Sequence, residues 1–353
     1  MSEYPKRRKH TGKIIGFAIL AGLIAGSAVG YRLYRHICGA NMSVVNKSDP
    51  FLYIPTNSTF DDVCALLRAS GLNDAASFRR VAGKMNYPGR VKAGRYRLTD
   101  GMSNLELVRM LRAGSQIPVK LVFNNIRLNA QLAGAAASSI EADSAGIMAL
   151  LTDSVYLADH FRLAPQTVLS LFIPNTYEFF WNTSAKGFME RMARERDRFW
   201  TESRRQKAGE TGLTPLQVTV LASIIEEETQ MDSEKAVMAG VYVNRLNRGM
   251  LLQADPTVKY AAGDFTIRRV LNRHKEIQSP YNTYQNAGLP PGPICIPSIA
   301  SIDATLNYVR HDYLFFCARD DLSGYHNFAR TLEQHNRYAQ AYQKALNKLK
   351  IYK

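Results

Sequence analysis

The chain has 353 residues and a formal net charge of +15, with 46% apolar and 21% charged residues. This composition is typical of a globular protein, and it excludes both an intrinsically disordered chain and a membrane protein with many spans. The length predicts two or three folded units. The positive charge is compatible with three kinds of partner: nucleic acid, an anionic membrane face or an acidic polymer. The positions of the charged residues along the chain distinguish these partners.

Much of that charge surrounds an apolar segment near the N-terminus. Residues 14–31 carry no charge, and a helix of this length extends about 27 Å, close to the hydrocarbon thickness of a bilayer. The first 35 residues hold +6 and the rest +9, because seven basic residues there oppose only Glu3: Lys6, Arg7, Arg8, Lys9, Lys13, Arg32 and Arg35. The positive-inside rule then predicts a cytoplasmic tail at 1–13, a single membrane-spanning helix at 14–34 and an extracytoplasmic body at the cell (inner) membrane. A cleaved signal peptide and a buried core helix are the alternatives, and nucleic acid does not fit this topology.

A small α+β unit is predicted over residues 50–115. Residues 51–55 have the pattern of a strand, and Thr59 with Asp62 forms the signature of a capping box that opens a helix through Ser70. A second helix near 75–85, a strand at 93–98 and a helix at 104–113 capped by Ser103 complete the unit. Units of this size more often bind a ligand or act as spacers than catalyse a reaction.

Neither the cysteines nor the histidines predict a metal or redox site. The four cysteines are Cys38, Cys64, Cys295 and Cys317, and none of them belongs to a CxxC pair. His326 and His335 lack an HExxH-type spacing. We therefore expect no metal and no cofactor, and a disulfide between Cys295 and Cys317 stays open because sequence separation does not establish geometry.

The most informative segment for chemistry is LQVTVLASIIEEETQ, which follows Thr214 and Pro215. Thr214 is a suitable N-cap and Pro215 fits a first helical turn, so a helix of about four turns is predicted. At 100° per residue Glu226 shares a face with small residues such as Ser223, which leaves room for a substrate or a backbone. Burial there predicts a raised pKa for Glu226, as a general acid needs. A solvated acidic helix end is the alternative, and Glu228 is predicted either to lie past the helix end or to be a second buried carboxyl.

The segments that follow resemble one protein family. They are LASIIEEET at Leu221–Thr229, VYVNRLNRGMLLQADPTVKYA at Val241–Ala261, SPYNTYQNAGLPPGPICIPS at Ser279–Ser298 and GYHNFARTLEQHN at Gly324–Asn336. In order and spacing they resemble the endolytic murein transglycosylases of the YceG-like family. Upstream, Ile173–Tyr177 is similar to the family's Phe-Pro-Asp-Thr-Tyr stretch, and the unit at 51–114 resembles its LysM-like module. The chain departs from the family where Leu169-Ser170 and Asn124-Asn125 replace Glu-Gly pairs.

The resemblance implies an α+β fold: an N-terminal transmembrane helix, a LysM-like module, and a mixed α+β catalytic domain over 116–350, with its core at about 205–340 and its catalytic glutamate on a buried helix. It implies a lyase that cleaves the β-1,4 bond between N-acetylmuramic acid and N-acetylglucosamine in nascent peptidoglycan strands and leaves 1,6-anhydro ends. Glu226 corresponds to the catalytic acid and base. The partners implied are glycan strands, the cytoplasmic membrane and cell-wall synthases. The residues predicted to bind substrate are Ser223, Gln253, Asp255, Thr257, Asn282, Tyr284 and His326.

Two other functions remain open from the sequence. A hydrolytic muramidase would use Asp255 or Glu228 as a second carboxylate and would leave reducing ends. A wall-binding scaffold without catalysis would not need Glu226. Asp255, which precedes a proline, is predicted to adopt an extended or turn conformation and either to position sugar hydroxyls or to act as a structural cap.

Overall fold

The computed structural model describes residues 9–123, 126–267 and 269–348, which form two compact units. The first unit comprises the chain up to Val119 together with Phe179–Asn182, and the second comprises Lys120–Glu178 and the chain from Thr183 onwards. The predicted Asn124-Asn125 departure lies outside the described residues, as does most of the predicted cytoplasmic tail.

The first unit begins with a long apolar helix, α1 (Lys9–Cys38). Within it, Lys13–Cys38 is long and apolar enough to cross a membrane, with a mean hydropathy of 2.0, and it is the only such helix among the residues described. Its apolar side chains are exposed, Phe17 by 75% and Leu23 by 63%, so nothing in this unit covers them. A single-pass membrane anchor fits this helix; its orientation stays a prediction.

The strands and helices predicted for the small α+β unit are present. Its elements are β1 (Phe51–Ile54), α2 (Phe60–Ser70), α3 (Ala75–Lys84), β2 (Gly94–Arg97) and α4 (Asn104–Ala113). The strands pair antiparallel with Phe51 opposite Arg97. Both predicted caps are present, since Thr59 and Ser103 each accept a hydrogen bond from the third helical residue and complete a capping box. Its core is built from side chains of all five elements, including Leu52, Leu67, Phe78, Tyr96 and Leu107. That this unit is LysM-like stays a prediction.

A buried pair of asparagines fastens α1 to this unit. Asn41 Nδ2 donates to Asn104 Oδ1 (2.6 Å), and Asn104 Nδ2 donates to the carbonyl of His36 in the last turn of α1 (2.8 Å). Asn41 and Asn104 expose 5% and 1% of their surface, so these bonds are shielded from water. The helix end is thereby fixed to the module by side chains.

The second unit is mostly helical. Its elements are β3 (Val119–Val122), α5 (Asn129–Ala137), α6 (Ser144–Thr152), α7 (Ser154–Phe161), β4 (Thr176–Phe179), α8 (Ala185–Phe199), α9 (Glu202–Glu210), α10 (Pro215–Glu228), α11 (Asp232–Asn247), α12 (Asp255–Ala262), α13 (Asn272–Lys275), α14 (Ile299–Leu306), β5 (Phe315–Ala318), β6 (His326–Ala329) and α15 (Leu332–Lys348). Two-stranded pairs form between β3 and β4 and between β5 and β6. The Leu169-Ser170 departure lies buried in a short 3₁₀ helix at Pro165–Leu171.

Helix α10 is the centre of this unit. It starts at Pro215 behind the predicted Thr214 cap, whose side chain accepts from Gln217 N. Every residue from Val218 to Ile225 is buried, and α10 packs against both α11 and α14. The mixed helix and strand class is therefore confirmed, and the three glutamates at the end of α10 are held by a rigid element.

Candidate active site

The three consecutive glutamates that end α10 point in three directions, because successive helical residues are about 100° apart. Glu227 makes a paired salt bridge with Arg127, whose Nε and Nη2 donate to the two carboxylate oxygens at 2.8 Å each. Both side chains are largely shielded, at 28% and 17% exposure. Glu227 therefore ties α10 to the segment before α5, and Glu226 and Glu228 remain as candidates for chemistry.

Glu226 lies at the N-terminus of α14. Its Oε2 accepts from the hydroxyl of Ser298 (2.5 Å), from the hydroxyl of Ser301 (2.5 Å) and from Ser298 N (3.3 Å). The ammonium of Lys235, a residue only 5% exposed, lies 3.3 Å from the same oxygen. A carboxylate at a helix N-terminus also interacts favourably with the helix dipole. Glu226 thus holds α10, α11 and α14 together in its ionised form.

The predicted rise in the pKa of Glu226 is wrong. Burial does raise the pKa, but the hydroxyls of Ser298 and Ser301, the charge of Lys235 and the backbone N–H of Ser298 together outweigh it, so the pKa lies below its usual value. The room inferred beside Glu226 is filled by the 294–301 segment. The lowered pKa favours the ionised form of Glu226.

Glu228 faces a cavity of about 370 Å³. The cavity is lined by side chains from α10, α11, α12, the β5–β6 hairpin, α15 and the loops before α12 and after α13: Glu228, Arg245, Leu252, Gln253, Asp255, Tyr284, Phe315, Phe316, Cys317, Ala318, His326, Leu332 and His335. Glu228 Oε1 accepts a hydrogen bond from the phenol of Tyr242 (2.8 Å). Of the two alternatives for Glu228, the second holds: it is a buried carboxyl, and it is the last residue of the helix.

Burial raises the pKa of Glu228 to about 7, against the opposing effect of the Tyr242 hydrogen bond. The nearby charge of Asp255 raises it further, while Lys259 and Arg245 lower it. A carboxyl with this pKa is partly protonated at neutral pH, which is the state a general acid requires.

Asp255 lies beside Glu228 and is held by Tyr284. The phenol of Tyr284 donates to Asp255 Oδ1 at 2.6 Å. Asp255 is the first residue of α12, not the extended or turn residue predicted. The proline after it is accommodated because the first N–H groups of a helix have no intrahelical partner, and the extended conformation falls instead on Ala254.

The structure brings together four of the predicted substrate residues. Gln253, Asp255, Tyr284 and His326 all line the Glu228 cavity, and Gln253 has a positive φ of 52° that turns the chain at its rim.

The other three predicted substrate residues are fully buried and already bonded. Ser223 Oγ donates to Val220 O and accepts from Ile294 N. Thr257 Oγ1 lies 2.8 Å from Thr283 Oγ1 and donates to Ala254 O. Asn282 Nδ2 donates to Lys275 O and Ile277 O, and its Oδ1 accepts from Tyr284 N. A direct contact with sugar is not available to these side chains in this structure.

Several residues of the cavity were not found from the sequence. Arg245 is buried and donates to the carbonyls of Leu314, Leu251 and Leu252, which fixes the cavity floor. Burial also lowers the pKa of Arg245. The signal for Arg245 in the sequence is its position next to the apolar run Ala236–Val243 of a helix, because a charged side chain is rarely buried without partners.

The cysteines are free thiols. Cys295 is buried beside Ser223, and Cys317 lies on β5 at the cavity wall. The disulfide that the sequence left open is not formed.

Known proteins resemble the chain over most of its length. A model of the YceG-like family matches residues 52–341. An endolytic murein transglycosylase of Bacillus subtilis is 28% identical over 312 residues, covering 84% of this chain and 86% of that protein. An endolytic murein transglycosylase of Streptococcus pneumoniae is 26% identical over 361 residues and 92% of this chain, which spans 64% of that relative's length. The 2.6 Å crystal structure of a YceG-like protein from Listeria monocytogenes superposes with a TM-score of 0.56 at 29% identity, covering 81% of this chain and 97% of that one.

Proposed function

Because the chain belongs to the YceG-like family, we propose that it is an endolytic lytic transglycosylase, a lyase that cuts peptidoglycan strands, with Glu228 as its general acid. The observation that carries the proposal is a carboxyl with a pKa of about 7 in a cavity of about 370 Å³ that also contains amide, phenol, carboxyl and imidazole groups. Such a cavity suits a small number of sugar units.

Glu228 protonates the glycosidic oxygen between N-acetylmuramic acid and N-acetylglucosamine. The bond to C1 breaks, and the C6 oxygen of the muramic residue closes onto C1 to give the 1,6-anhydro ring, while its hydroxyl proton passes to the carboxylate that Glu228 has become. This reaction requires one acid with a raised pKa and no carboxylate nucleophile. Asp255 supports the acid because its charge raises the pKa of Glu228. The hydrogen bond from the phenol of Tyr284 restrains rotation of the Asp255 carboxylate.

Glu226, the residue predicted from the family motif, is the alternative acid. It is disfavoured because its pKa is lowered and its Oε2 already accepts from Ser298 and Ser301. We assign it instead to structure, as the carboxylate that joins three helices.

We further propose that the protein is a single-pass protein of the cytoplasmic (inner) membrane with its N-terminus inside. The apolar helix α1 supports the membrane span, and the basic residues that precede it support the orientation. The folded module is attached to the C-terminal end of α1 through Asn104. The LysM-like module at 50–115 would bind glycan, and the catalytic domain at 116–350 would cut nascent strands close to the synthases that make them. Tethering at the membrane would restrict cleavage to newly made strands.

The test is mass spectrometry of the products formed from purified peptidoglycan by the full chain in detergent. Glu228→Gln and Glu226→Gln form a matched pair, since each replaces one carboxyl of the same helix turn by its isosteric amide. We expect 1,6-anhydromuramic ends from the wild type, their loss with folded Glu228→Gln, and their retention with Glu226→Gln. The reverse pattern would make Glu226 the acid, reducing ends would make the protein a hydrolase, and unchanged glycan would leave a binding scaffold.

A further inference from the structure

We propose that His326, oriented by the buried carboxylate of Glu234, is a second catalytic group that accepts the proton of the muramic C6 hydroxyl while Glu228 donates its own. This inference rests on the proposed function. It replaces a single carboxyl acting first as acid and then as base by two groups with separate tasks.

Glu234 and His326 form a paired contact between α11 and β6. Glu234 Oε1 accepts from His326 N at 2.8 Å, and Glu234 Oε2 lies 2.9 Å from His326 Nδ1. Glu234 is 8% exposed, and a carboxylate so deeply buried is stable only when it is paired or bonded. By gripping both the backbone and the ring, Glu234 fixes where the imidazole points.

This contact also sets the tautomer. A proton on Nδ1 is the one that the Glu234 carboxylate can accept, so Nε2 carries the lone pair. The same logic orients the histidine base of serine hydrolases, where a buried carboxylate bonds Nδ1 and the opposite nitrogen takes a proton. His326 is therefore prepared as a base at Nε2.

The imidazole has access to the reaction cavity. His326 lines the same cavity as Glu228, and within the part of the chain that the structure describes no side chain or carbonyl bonds its Nε2. The ring of Phe316 stands at 87° to that of His326 with centroids 5.6 Å apart, which restrains the imidazole from the side. Nε2 is thus left for a ligand.

Two groups suit the chemistry better than one. Glu228 donates from its protonated form, and a neutral carboxyl is no base for the C6 hydroxyl until it has given up its proton. With His326 present, O6 loses its proton to Nε2 as the O6–C1 bond forms, and the leaving oxygen takes the proton of Glu228 as its bond to C1 breaks. The imidazolium is stabilised by Glu234 and returns its proton through cavity water to the Glu228 carboxylate. Protons balance, and no further reactant is needed.

The cavity contains a second histidine that lacks these features. The His335 ring lies against Phe315 at an angle of 31°, its buried Nδ1 has no hydrogen-bond partner among the residues the structure describes, and burial lowers the pKa of His335. In the described ranges, no carboxylate is bonded to the His335 ring. The distinction between the two histidines is therefore the Glu234 contact.

The test measures kcat and KM for release of anhydro ends from uncrosslinked glycan strands by the full chain. His326→Asn is the informative variant, because its amide nitrogen can replace Nδ1 as donor to Glu234 while nothing replaces Nε2. We expect kcat to fall about 100-fold with KM within about twofold, as for loss of a general base. Glu234→Gln should lower kcat about tenfold through a misoriented ring, and the double variant should be no worse than His326→Asn alone.

A control and a rescue separate catalysis from folding. His160→Gln removes an exposed histidine of α7 and should leave kcat unchanged. Added imidazole should restore part of the activity of His326→Gly, a readout that loss of a structural bond would not give. If His326→Asn has a lower Tm than the wild type, imidazole rescue of His326→Gly separates a loss of catalysis from a loss of folding.

Three outcomes are distinct. Wild-type kcat in folded His326→Asn, or losses that add in the double variant, would overturn the inference while leaving the proposed function intact. Absence of imidazole rescue would overturn it likewise. Reducing ends or uncut glycan from the wild type would overturn the proposed function itself.

Discussion

Glu226 and Glu228 are two residues apart on α10, yet their carboxyls are about 200° apart around the helix and have pKa values shifted in opposite directions. Glu226 accepts from two serine hydroxyls and faces Lys235, so its ionised form is favoured. Glu228 accepts from one phenol in a poorly solvated cavity, so its protonated form is favoured. One helix thus carries two carboxyls with opposite pKa shifts, of which we assign Glu226 to structure and Glu228 to acid catalysis.

Replacing Glu226 should reduce stability. Glu226→Ala removes the acceptor of Ser298 and Ser301, and of the two described carboxylates near the nearly buried Lys235 it leaves the exposed Asp232. Lost hydrogen bonds to a charged group predict a decrease of about 2–3 kcal/mol in the free energy of unfolding. Denaturant titration followed by circular dichroism measures it.

The stability that Glu226 contributes should depend on pH, because the pKa of its carboxyl is lowered in the folded state. A depressed pKa in the folded state stabilises the fold above the unfolded pKa, and this contribution is lost as the pH falls through the folded value. The difference between wild type and Glu226→Ala should therefore be full at pH 7 and shrink towards pH 3. A difference independent of pH would contradict the ionised role assigned to Glu226.

Replacing Glu228 should have the opposite effect on stability. The pKa of Glu228 is raised to about 7 in the folded state, against 4.5 for an unperturbed glutamate. Ionisation of Glu228 therefore destabilises the fold, and this destabilisation grows as the pH rises from 4.5 through 7. Glu228→Gln stays neutral and keeps an oxygen acceptor for Tyr242. We expect its Tm to exceed that of the wild type at pH 8 and to approach it at pH 5. Equal Tm differences at both pH values would indicate that the pKa of Glu228 is not raised.

Asp255 should control the alkaline limit of activity. The charge of Asp255 raises the pKa of Glu228, so Asp255→Asn should lower that pKa and shift the alkaline limb of the kcat/KM profile to lower pH. Tyr284→Phe serves as the comparison, since it removes the phenol bonded to Asp255 but leaves the charge. A hydrolase that used Asp255 as nucleophile would instead lose activity at every pH with Asp255→Asn.

The sequence predicts local structure well in this chain. Thr59, Ser103 and Thr214 each precede a helix by one residue, and the structure has all three as caps. Such signals depend on a few neighbouring residues, and short-range hydrogen bonds decide them. The sequence also predicted four residues that line the cavity: Gln253, Asp255, Tyr284 and His326. Each of them lies in an uninterrupted stretch of sequence that resembles a family motif.

The surroundings of the two glutamates were not predictable from the helix alone. The small residues beside Glu226 were interpreted as space for a substrate, but Ser298 and Ser301, more than 70 residues later in the chain, occupy that side. Glu228 lies on the side of Leu221 and Ile224, which looks like plain core until the β5–β6 hairpin and α12 open a cavity there. A helical wheel gives direction, whereas only the tertiary fold decides what lies in that direction.

Ser223 provides a last test, since the sequence predicted a substrate contact and the structure has it bonded to the backbone. Its hydroxyl accepts from Ile294 N at 3.0 Å, and the residue has no exposed surface. Ser223→Ala leaves that buried N–H without a partner, which should lower the free energy of unfolding by about 1–3 kcal/mol. KM for glycan should stay within about twofold below the melting transition. An increase in KM at unchanged stability would return Ser223 to the binding site, and Thr219→Ala, at a hydroxyl that bonds only within α10, is the matched control.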